Sequence, residues 1–282
     1  MKIAIITDIH SNYAALEACL ASIRNEKADG IVFLGDYVSD CPYPQRTLEL
    51  VRQARREFKT WLIRGNREEY QIHHHYNNSG WEYSSSTGSL LYTYENLTRE
   101  DIAFFESLPI SLKIEPDGCK PFTVCHGSPF KVRDWIIANT ERMEESLNAV
   151  DTELLICGHA HIYSKTVINN KTIIFAPSVG LPTDGLESCY LMLEYKSGVW
   201  TDKNIFVTYD KQSFINDFYT SGLCDKAFYF AKSITKMIES NQSITIECLK
   251  LAEKYSKEDG NINSPYIPEK YWEKAAKELG IE

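Results

Sequence analysis

Residues 2–10 read Lys2-Ile3-Ala4-Ile5-Ile6-Thr7-Asp8-Ile9-His10. This apolar run has the length of a buried strand and stops at a carboxylate, Asp8. Two further apolar runs, 30–34 and 60–63, stop at Gly35-Asp36 and Gly65-Asn66. Apolar residues at helical spacing predict helices between the runs, over 12–27 and 45–58. The order strand, helix, strand, helix, strand predicts a parallel sheet with helices packed on it.

The chain after the third strand is predicted to add a second sheet and a helical tail. Residues 67–100 are rich in Tyr, Trp, Ser and Gly and are interpreted as an insert of short helices and loops over one edge of the core. Apolar runs separated by turn signals predict strands over 110–114, 122–125, 154–157, 163–168, 171–175, 188–195 and 199–208, with one helix over 141–150. Because so many strands fall in the second half, we expect another sheet there. Beyond Tyr209, apolar stripes predict helices over 223–238, 244–255 and 268–279.

The composition argues against some classes of function. The 282 residues include 30 basic and 39 acidic side chains, a net charge of −9. We therefore expect no binding to a nucleic-acid duplex or to an anionic membrane surface, since both need a basic face. The eight cysteines form no C-x-x-C pair, and the short apolar run before Asp8 does not suit a signal peptide. These features predict a cytoplasmic protein with reduced thiols.

Side chains that bind metal ions follow one predicted strand after another. They are Asp8, His10, Asp36, Asn66, His126, His159 and His161. Because the carboxyl ends of parallel strands share one edge of a sheet, where ligand sites form, these seven donors are predicted to converge on one crevice. A glycine beside such a donor, as at Gly127, allows a sharp turn and the close approach of a substrate.

Each of these residues has an ordinary structural interpretation when it is taken alone. An Asp after a strand is commonly a turn residue or a helix N-cap, and a lone His is more often a hydrogen-bonded side chain than a ligand. The pattern as a whole favours a metal site, because every histidine outside residues 73–75 falls directly at or after a strand end.

Five motifs occur together in the chain: Asp8-Ile9-His10, Gly35-Asp36, Gly65-Asn66, His126-Gly127 and Gly158-His159-Ala160-His161. In identity, order and spacing they resemble the calcineurin-like metallophosphoesterases, and in particular the smaller bacterial and archaeal phosphoesterases of that superfamily. The resemblance covers about residues 1–195. Together with the predicted elements it favours a four-layer α/β/β/α sandwich of two mixed sheets with flanking helices over residues 1–209. Residues 210–282 then form a helical C-terminal extension, which we expect to cover the second sheet or to mediate a dimer.

The resemblance implies a site for two divalent metal ions. One ion would be held by Asp8, His10 and His161, the other by Asn66, His126 and His159, and Asp36 would bridge both. Imidazole and carboxylate ligands suit manganese, iron or zinc better than magnesium. Two ions roughly 3.5–4 Å apart clamp both sides of an in-line phosphoryl displacement, with a metal-bound hydroxide as the expected nucleophile. Asp36 and His126 are therefore predicted to be catalytic as well as ligands.

One departure from the resemblance concerns the residue after Asn66. Many relatives have Gly-Asn-His, whose histidine assists the leaving group or the phosphate, whereas this chain has Gly65-Asn66-Arg67. An arginine stays protonated and does not shuttle a proton. It binds phosphate oxygens through two parallel hydrogen bonds and stabilises developing charge. Arg67 is therefore predicted to be catalytic and to bind substrate; the alternative is a surface residue that opens a helix.

The insert has two features that could serve a substrate. Its aromatic residues, Trp81 and Tyr83 among them, would stack on a nucleobase or simply pack a lid. The run His73-His74-His75 is interpreted first as solvent-facing, with metal or substrate binding as the alternative.

These observations predict hydrolysis of a small phosphorylated substrate, a phosphodiester or a nucleotide-type phosphoester or phosphoanhydride such as a dinucleoside polyphosphate. An acidic leaving group needs little protonation, which suits a chain without the Gly-Asn-His histidine. One alternative is a phosphomonoesterase, including a protein phosphatase. The other is a non-catalytic scaffold that senses a metal ion or a nucleotide. A homo-oligomer is left open.

Overall fold

The computed structural model describes residues 1–136, 140–261 and 266–281. The strands in these ranges are β1 Lys2–Ile6, β2 Gly30–Phe33, β3 Lys59–Leu62, β4 Ser111–Ile114, β5 Phe122–Cys125, β6 Leu154–Cys157, β7 Ser164–Ile168, β8 Lys171–Phe175, β9 Cys189–Lys196 and β10 Val199–Phe206. The helices are α1 Tyr13–Asn25, α2 Pro44–Glu57, α3 Asn66–Asn77, α4 Gly88–Glu95, α5 Arg99–Ser107, α6 Glu141–Asn148, α7 Lys211–Thr220, α8 Leu223–Ser240, α9 Ile244–Glu258 and α10 Glu269–Glu278.

The strands form two mixed sheets of five strands each. The first sheet has the order β10-β9-β1-β2-β3, in which β1, β2 and β3 are parallel. The second has the order β4-β5-β6-β8-β7, in which β5, β6 and β8 are parallel and the two edge strands are antiparallel. Each sheet therefore brings the carboxyl ends of three parallel strands to one edge, where ligand sites form.

Four layers result from the way the two sheets pack, and the predicted α/β/β/α sandwich is confirmed. Ile5 of β1 and Ile156 of β6 belong to a fully buried cluster between the sheets. Leu16 of α1 and Val51 of α2 cover the other face of the first sheet. Met143 of α6 covers the outer face of the second sheet. Burial of apolar side chains on both faces of each sheet holds the layers together.

The second half of the chain forms the second sheet, as expected, but its last hairpin, β9 and β10, returns to the first sheet. The residues of β9 from Cys189 to Leu193 are all buried. Leu191 and Leu193 face the cluster between the sheets, whereas Tyr190 and Met192 face the helices of the first sheet. The backbone N–H and C=O groups of a buried strand need partners along both edges, and β9 has β10 and β1 as its neighbours.

The expectation that the C-terminal helices cover the second sheet is wrong, because α8 and α10 pack on the insert. Phe214 of α7 and Leu223 of α8 share a hydrophobic cluster with Tyr92 of α4. A Cβ added at Gly88 would lie 1.9 Å from the carbonyl oxygen of Lys226, so α4 and α8 cross at backbone contact. The outer face of the second sheet is covered by α6.

The division at residue 210 stays a prediction, although the extension shares its core with the rest of the chain. None of the helices in the described ranges is long and apolar enough to cross a membrane.

Candidate metal centre

The loops that follow the parallel strands bring two groups of metal-binding side chains together. One group is Asp8, His10 and His161, and the other is Asp36, His126 and His159. Within each group the potential ligand atoms all lie within 4.8 Å of one another. Asn66, the first residue of α3, adds an amide oxygen 3.1 Å from Nε2 of His126. All seven residues singled out from the sequence therefore meet at one edge of the two sheets.

Asp36 lies between the two groups. Its Oδ2 atom is 3.4 Å from Nε2 of His126 and 3.7 Å from Nε2 of His10. The other oxygen, Oδ1, accepts a hydrogen bond of 2.8 Å from the backbone N–H of Arg67. One carboxylate oxygen of Asp36 is thus hydrogen-bonded to the backbone, and the other faces a histidine of each metal-binding group.

The histidines are oriented by contacts on the side of the ring that faces away from the centre. Nδ1 of His126 is 2.7 Å from the carbonyl oxygen of Leu34, and Nδ1 of His161 is 2.7 Å from that of Leu181. A backbone carbonyl only accepts, so each Nδ1 carries a proton, and the lone pair that can bind a metal ion is that of Nε2. Both lone pairs point into the centre, as metal coordination requires.

Several of the potential ligand atoms lie very close to one another. Nε2 of His10 and Nε2 of His161 are 3.1 Å apart, and Oδ1 of Asp8 is 3.3 Å from Nε2 of His161. Oδ1 of Asp8 is buried and has no hydrogen-bond partner among the described residues. Buried acceptors left unpaired in this way are costly, and a bound divalent cation would satisfy them. The residues present therefore fit a metal ion.

The carboxylates and histidines of the centre shift one another's pKa values. Burial alone would lower the pKa of a histidine, but the neighbouring carboxylates outweigh it and raise the pKa of His10 to about 9 and that of His126 to about 10. Although burial opposes it, the same histidines hold the pKa of Asp36 below its usual range. For His159, burial and the neighbouring His126 lower the pKa to about 4. In the metal-free centre protons on His10 and His126 balance the carboxylates, and a cation would displace those protons.

The backbone is strained where it carries the ligands. Five ligands have a positive φ in the left-handed region: Asp8 (52°), His10 (50°), Asp36 (50°), His159 (66°) and His161 (60°). Sparsely populated conformations of this kind cost roughly 1–3 kcal/mol each and cluster at functional sites. A chain that needed only to connect strands to helices would gain nothing from this strain.

Two glycines, Gly65 and Gly158, allow the loops that carry the metal-binding side chains to lie in close contact. A Cβ at position 65 would lie 2.2 Å from Oδ1 of Asp36, and one at position 158 would lie 2.2 Å from Oγ1 of Thr7. Gly127, predicted to face substrate, is packed against the loop that follows it: a Cβ there would lie 2.6 Å from the carbonyl oxygen of Val132. Its contact with a substrate stays a prediction.

Glu68 is a buried support that the sequence reasoning missed. Its carboxylate accepts hydrogen bonds of 2.8 Å from the backbone N–H groups of Asp36, Tyr37 and Gly65. It thereby ties the loop after β2 to the start of α3. Burial and the neighbouring Asp36 raise the pKa of Glu68 to about 7. The sequence carried a signal for it, because Glu68 occupies the third position of a helix that begins at Asn66, where a glutamate caps the helix.

Asp40 is a second missed residue, and it links His10 to Arg67. Its Oδ2 atom lies 3.1 Å from Nδ1 of His10 and 2.7 Å from Nη2 of Arg67. Burial would raise the pKa of Asp40, but Arg67 and His10 outweigh it and hold the pKa below its usual range. Asp40 lies in a loop without periodic pattern, so no sequence signal distinguished it.

We expect Asp40→Asn to weaken metal binding without removing it. A carboxylate behind a metal-binding histidine orients the ring and raises its basicity, and losing such a partner costs about 10- to 100-fold in metal affinity. The measurement is the dissociation constant for Mn²⁺ in competition with a chelating dye. Asp117→Asn, a change in an exposed turn, is the control; an unchanged Mn²⁺ affinity in Asp40→Asn would show that Asp40 does not support His10.

The centre opens into a cavity of about 210 Å³. Its polar side is formed by His10, Asp40, Arg67, His159 and His161. Arg67, the second residue of α3, directs its guanidinium to this side, and its buried Nε makes no hydrogen bond to any described residue. Arg67 thus lines the cavity beside the metal-binding groups.

Trp81 and Tyr83 do not line this cavity. The ring of Trp81 stacks on His74 at 4.0 Å, and Tyr83 donates a hydrogen bond to Glu95. The predicted nucleobase wall is therefore absent from the residues that surround the centre, because the insert uses these rings for its own packing. His74 is itself buried, which corrects the interpretation of residues 73–75 as uniformly solvent-facing.

Comparisons with known proteins agree with this geometry. Residues 1–198 match the model of the calcineurin-like phosphoesterase superfamily domain. An uncharacterized protein of Methanocaldococcus jannaschii is 28% identical over 215 residues, which are 69% of this chain and 83% of that protein.

Two solved structures share the fold. A metallophosphoesterase from Sphaerobacter thermophilus superposes with a TM-score of 0.64 at 25% identity, covering 85% of this chain and 99% of the other. A hypothetical protein from Pyrococcus horikoshii superposes with a TM-score of 0.70 at 19% identity, covering 84% of this chain and 97% of the other, which shows the fold alone.

Proposed function

The chain belongs to the calcineurin-like phosphoesterase superfamily, and from this premise we propose that it hydrolyses phosphoesters at two divalent metal ions. The observation that carries the proposal is the position of Asp36. One oxygen of this carboxylate lies within 3.7 Å of a histidine from each metal-binding group. Two adjacent ligand sets with a shared carboxylate suit two ions that act on one phosphate.

The ligands divide as the resemblance implies. Asp8, His10 and His161 hold one ion, and Asn66, His126 and His159 hold the other, with Asp36 between them. Such a set of imidazole and oxygen ligands suits manganese, iron or zinc. When bound, two divalent ions polarise the phosphoryl oxygens and lower the pKa of water towards neutrality, which makes hydroxide available as a nucleophile. Their four positive charges exceed the two negative charges of Asp8 and Asp36, so the centre would attract an anion inside an acidic protein.

Arg67 holds the substrate beside the metal ions. It lines the cavity, and its buried Nε has no hydrogen-bond partner among the described residues. The pKa of Arg67, which burial alone would lower, is raised further by Asp40 and Asp36, so the side chain is a permanent cation. It binds and orients a phosphate and stabilises developing charge, but it gives no proton to a leaving group.

The preferred substrate is therefore a phosphodiester or another phosphoester with an acidic leaving group. A poor leaving group needs a positioned proton donor, which contributes typically 10²–10⁴-fold to the rate. With Arg67 in place of the histidine of many relatives, that contribution is missing. The nucleotide part of the prediction loses its structural basis, because Trp81 and Tyr83 lie outside the cavity.

The experiment compares two substrates on protein that has been stripped of metal and reloaded with Mn²⁺. We expect bis(p-nitrophenyl) phosphate to be hydrolysed at least roughly 10²-fold more efficiently than an alkyl monoester such as glycerol 1-phosphate. A preference for the alkyl monoester would point to a phosphomonoesterase. Absence of turnover on every phosphoester, with two ions bound, would point to a non-catalytic scaffold.

A further inference from the structure

The cavity at the metal centre has a second side that is apolar, and most of this side comes from the C-terminal extension. We call it the apolar wall; it comprises Leu181, Phe230, Ile234, Met237, Ile246 and Leu249. It faces the polar side described above across the same cavity. The helices α8 and α9 therefore belong to the surroundings of the metal centre, a position that nothing in their sequence indicated.

The wall is built from one stripe on each helix. Phe230, Ile234 and Met237 follow one another at intervals of four and three residues on α8, and Ile246 and Leu249 are three residues apart on α9. Residues at these intervals share a face of a helix. The α8 backbone is broken at Phe228, which has φ 40°, just beyond its contact with Gly88 of α4. The insert thus anchors α8, and the part of α8 after the break presents its stripe to the cavity.

Packing of the protein core does not account for all of the wall. Ile234 and Met237 are buried in the cluster shared with α7. Ile246, however, is 40% exposed, although it lines a cavity that contains Arg67 and two metal-binding histidines of the first group. Trp135, which also lines the cavity, is 59% exposed and stands edge-on to His159, with ring centroids 5.2 Å apart. Large apolar side chains left open beside a charged centre mark a binding surface.

We propose that the apolar wall binds the alcohol part of the substrate and that this part is a compact apolar group, such as a branched alkyl chain or a single aromatic ring. The proposal rests on the proposed function, because it places the phosphate at the metal-binding groups and Arg67. The size of the cavity supports it. An apolar cavity of about 150 Å³ holds one benzene ring, so 210 Å³ suffices for such a ring and part of a phosphoryl group.

The chemistry of the wall disfavours a sugar or a nucleoside as the alcohol. Hydroxyl groups placed against Ile234, Met237 and Leu249 would lose their water, at a cost of about 1–3 kcal/mol each where they gain no partner. Thr183 and Thr245 are the neutral polar residues in the described lining of the cavity. An alkyl or phenyl group has no such groups to desolvate. The wall therefore selects for apolar esters by rejecting polar ones as well as by attracting apolar ones.

The test measures binding of phosphonates, which share one charged head and are not hydrolysed. Metal-loaded protein is titrated calorimetrically with methylphosphonate, n-butylphosphonate and phenylphosphonate. Affinity should rise roughly fourfold for each methylene group that is buried against the wall, or on the order of 60-fold from methyl to n-butyl. Equal affinities for the three phosphonates would overturn the proposal.

Two variants assign the effect to the wall. In Ile246→Asp and Ile246→Ser the ratio of n-butyl to methyl affinity should fall at least roughly fivefold, because the wall loses apolar area and gains groups that need water. The ratio cancels any change in attraction for the common phosphonate head. Val167→Asp, on an exposed aliphatic residue of β7, is the matched control and should keep the wild-type ratio. A wild-type ratio in both Ile246 variants would show that the apolar group binds elsewhere.

The same samples are assayed with bis(p-nitrophenyl) phosphate, which separates this proposal from the proposed function. Hydrolysis together with equal phosphonate affinities would contradict the apolar wall alone. A steep phosphonate series without hydrolysis would contradict the catalytic function and leave the wall as a binding surface.

Discussion

Asp36→Asn should lower kcat/KM for a phosphodiester by on the order of 10³-fold or more, the largest effect we expect from a single substitution. A metal-bound transition state is stabilised by several kcal/mol, and Asp36 is the carboxylate that faces both metal-binding groups. The amide of an asparagine has the same shape and still accepts from the backbone N–H of Arg67. The loss should therefore come from the metal ions, and metal analysis should find fewer than two per chain.

The matched control for this variant is Asp117→Asn in the turn between β4 and β5, which should leave both turnover and metal content unchanged. Thermal unfolding of the metal-free proteins checks that Asp36→Asn is folded. Full turnover and two bound ions in the Asp36 variant would show that the shared ligand has been assigned to the wrong residue.

Arg67→Ala should weaken the stabilisation of the transition state by roughly 2–4 kcal/mol, the loss typical of one hydrogen-bond donor. This loss corresponds to a decrease in kcat/KM of about 30- to 1,000-fold. Arg67 lines the cavity, and its buried Nε has no hydrogen-bond partner among the described residues, so we expect the side chain to retain a donor for a phosphate oxygen. Both metal ions should stay bound, because the contacts of Arg67 within the described ranges reach the ligands through Asp40 and through its own backbone N–H, which the substitution keeps. Arg67→Lys should restore part of the loss, since an ammonium group does not reproduce the planar fork.

Arg133→Ala provides the control for charge. Arg133 lies over the ring of Tyr70, which Arg67 also approaches, but its side chain is half-exposed and pairs with Glu69. Removing it changes the net charge by the same amount and should leave kcat/KM within about twofold, as expected for a surface substitution. Equal losses in the two variants would mean that Arg67 acts through the overall field and not through contact with the phosphate.

The position of the metal centre was predictable because topology determines it. Short apolar strands that alternate with helices give a parallel sheet, and parallel strands present their carboxyl ends at one edge. Asp8 and Asp36 follow neighbouring strands of that edge, so their convergence needs no detail of side-chain packing. The second sheet packs face to face on the first, and this packing brings His126 and His159 next to Asp36.

The surroundings of the centre were not predictable in the same way. An amphipathic stripe on a helix shows that one face is buried, but it does not show what covers it. The stripe on α8 was compatible with the second sheet or a dimer, and the structure places it on α4 and beside the cavity. Asp40 gave no signal, since a single carboxylate in an irregular loop is indistinguishable from a turn residue. Trp81 packs within the insert, where it stacks on His74. The composition of the insert alone did not show whether this ring packs there or contacts a substrate.

Titration of metal-free protein with Mn²⁺, followed by hydrolysis of bis(p-nitrophenyl) phosphate, tests the central claim most directly. If two ions act together at the shared carboxylate of Asp36, chelation should abolish turnover, and activity should reach its plateau only when two equivalents per chain are bound. Full activity with one equivalent, or turnover that survives complete removal of metal, would contradict the account.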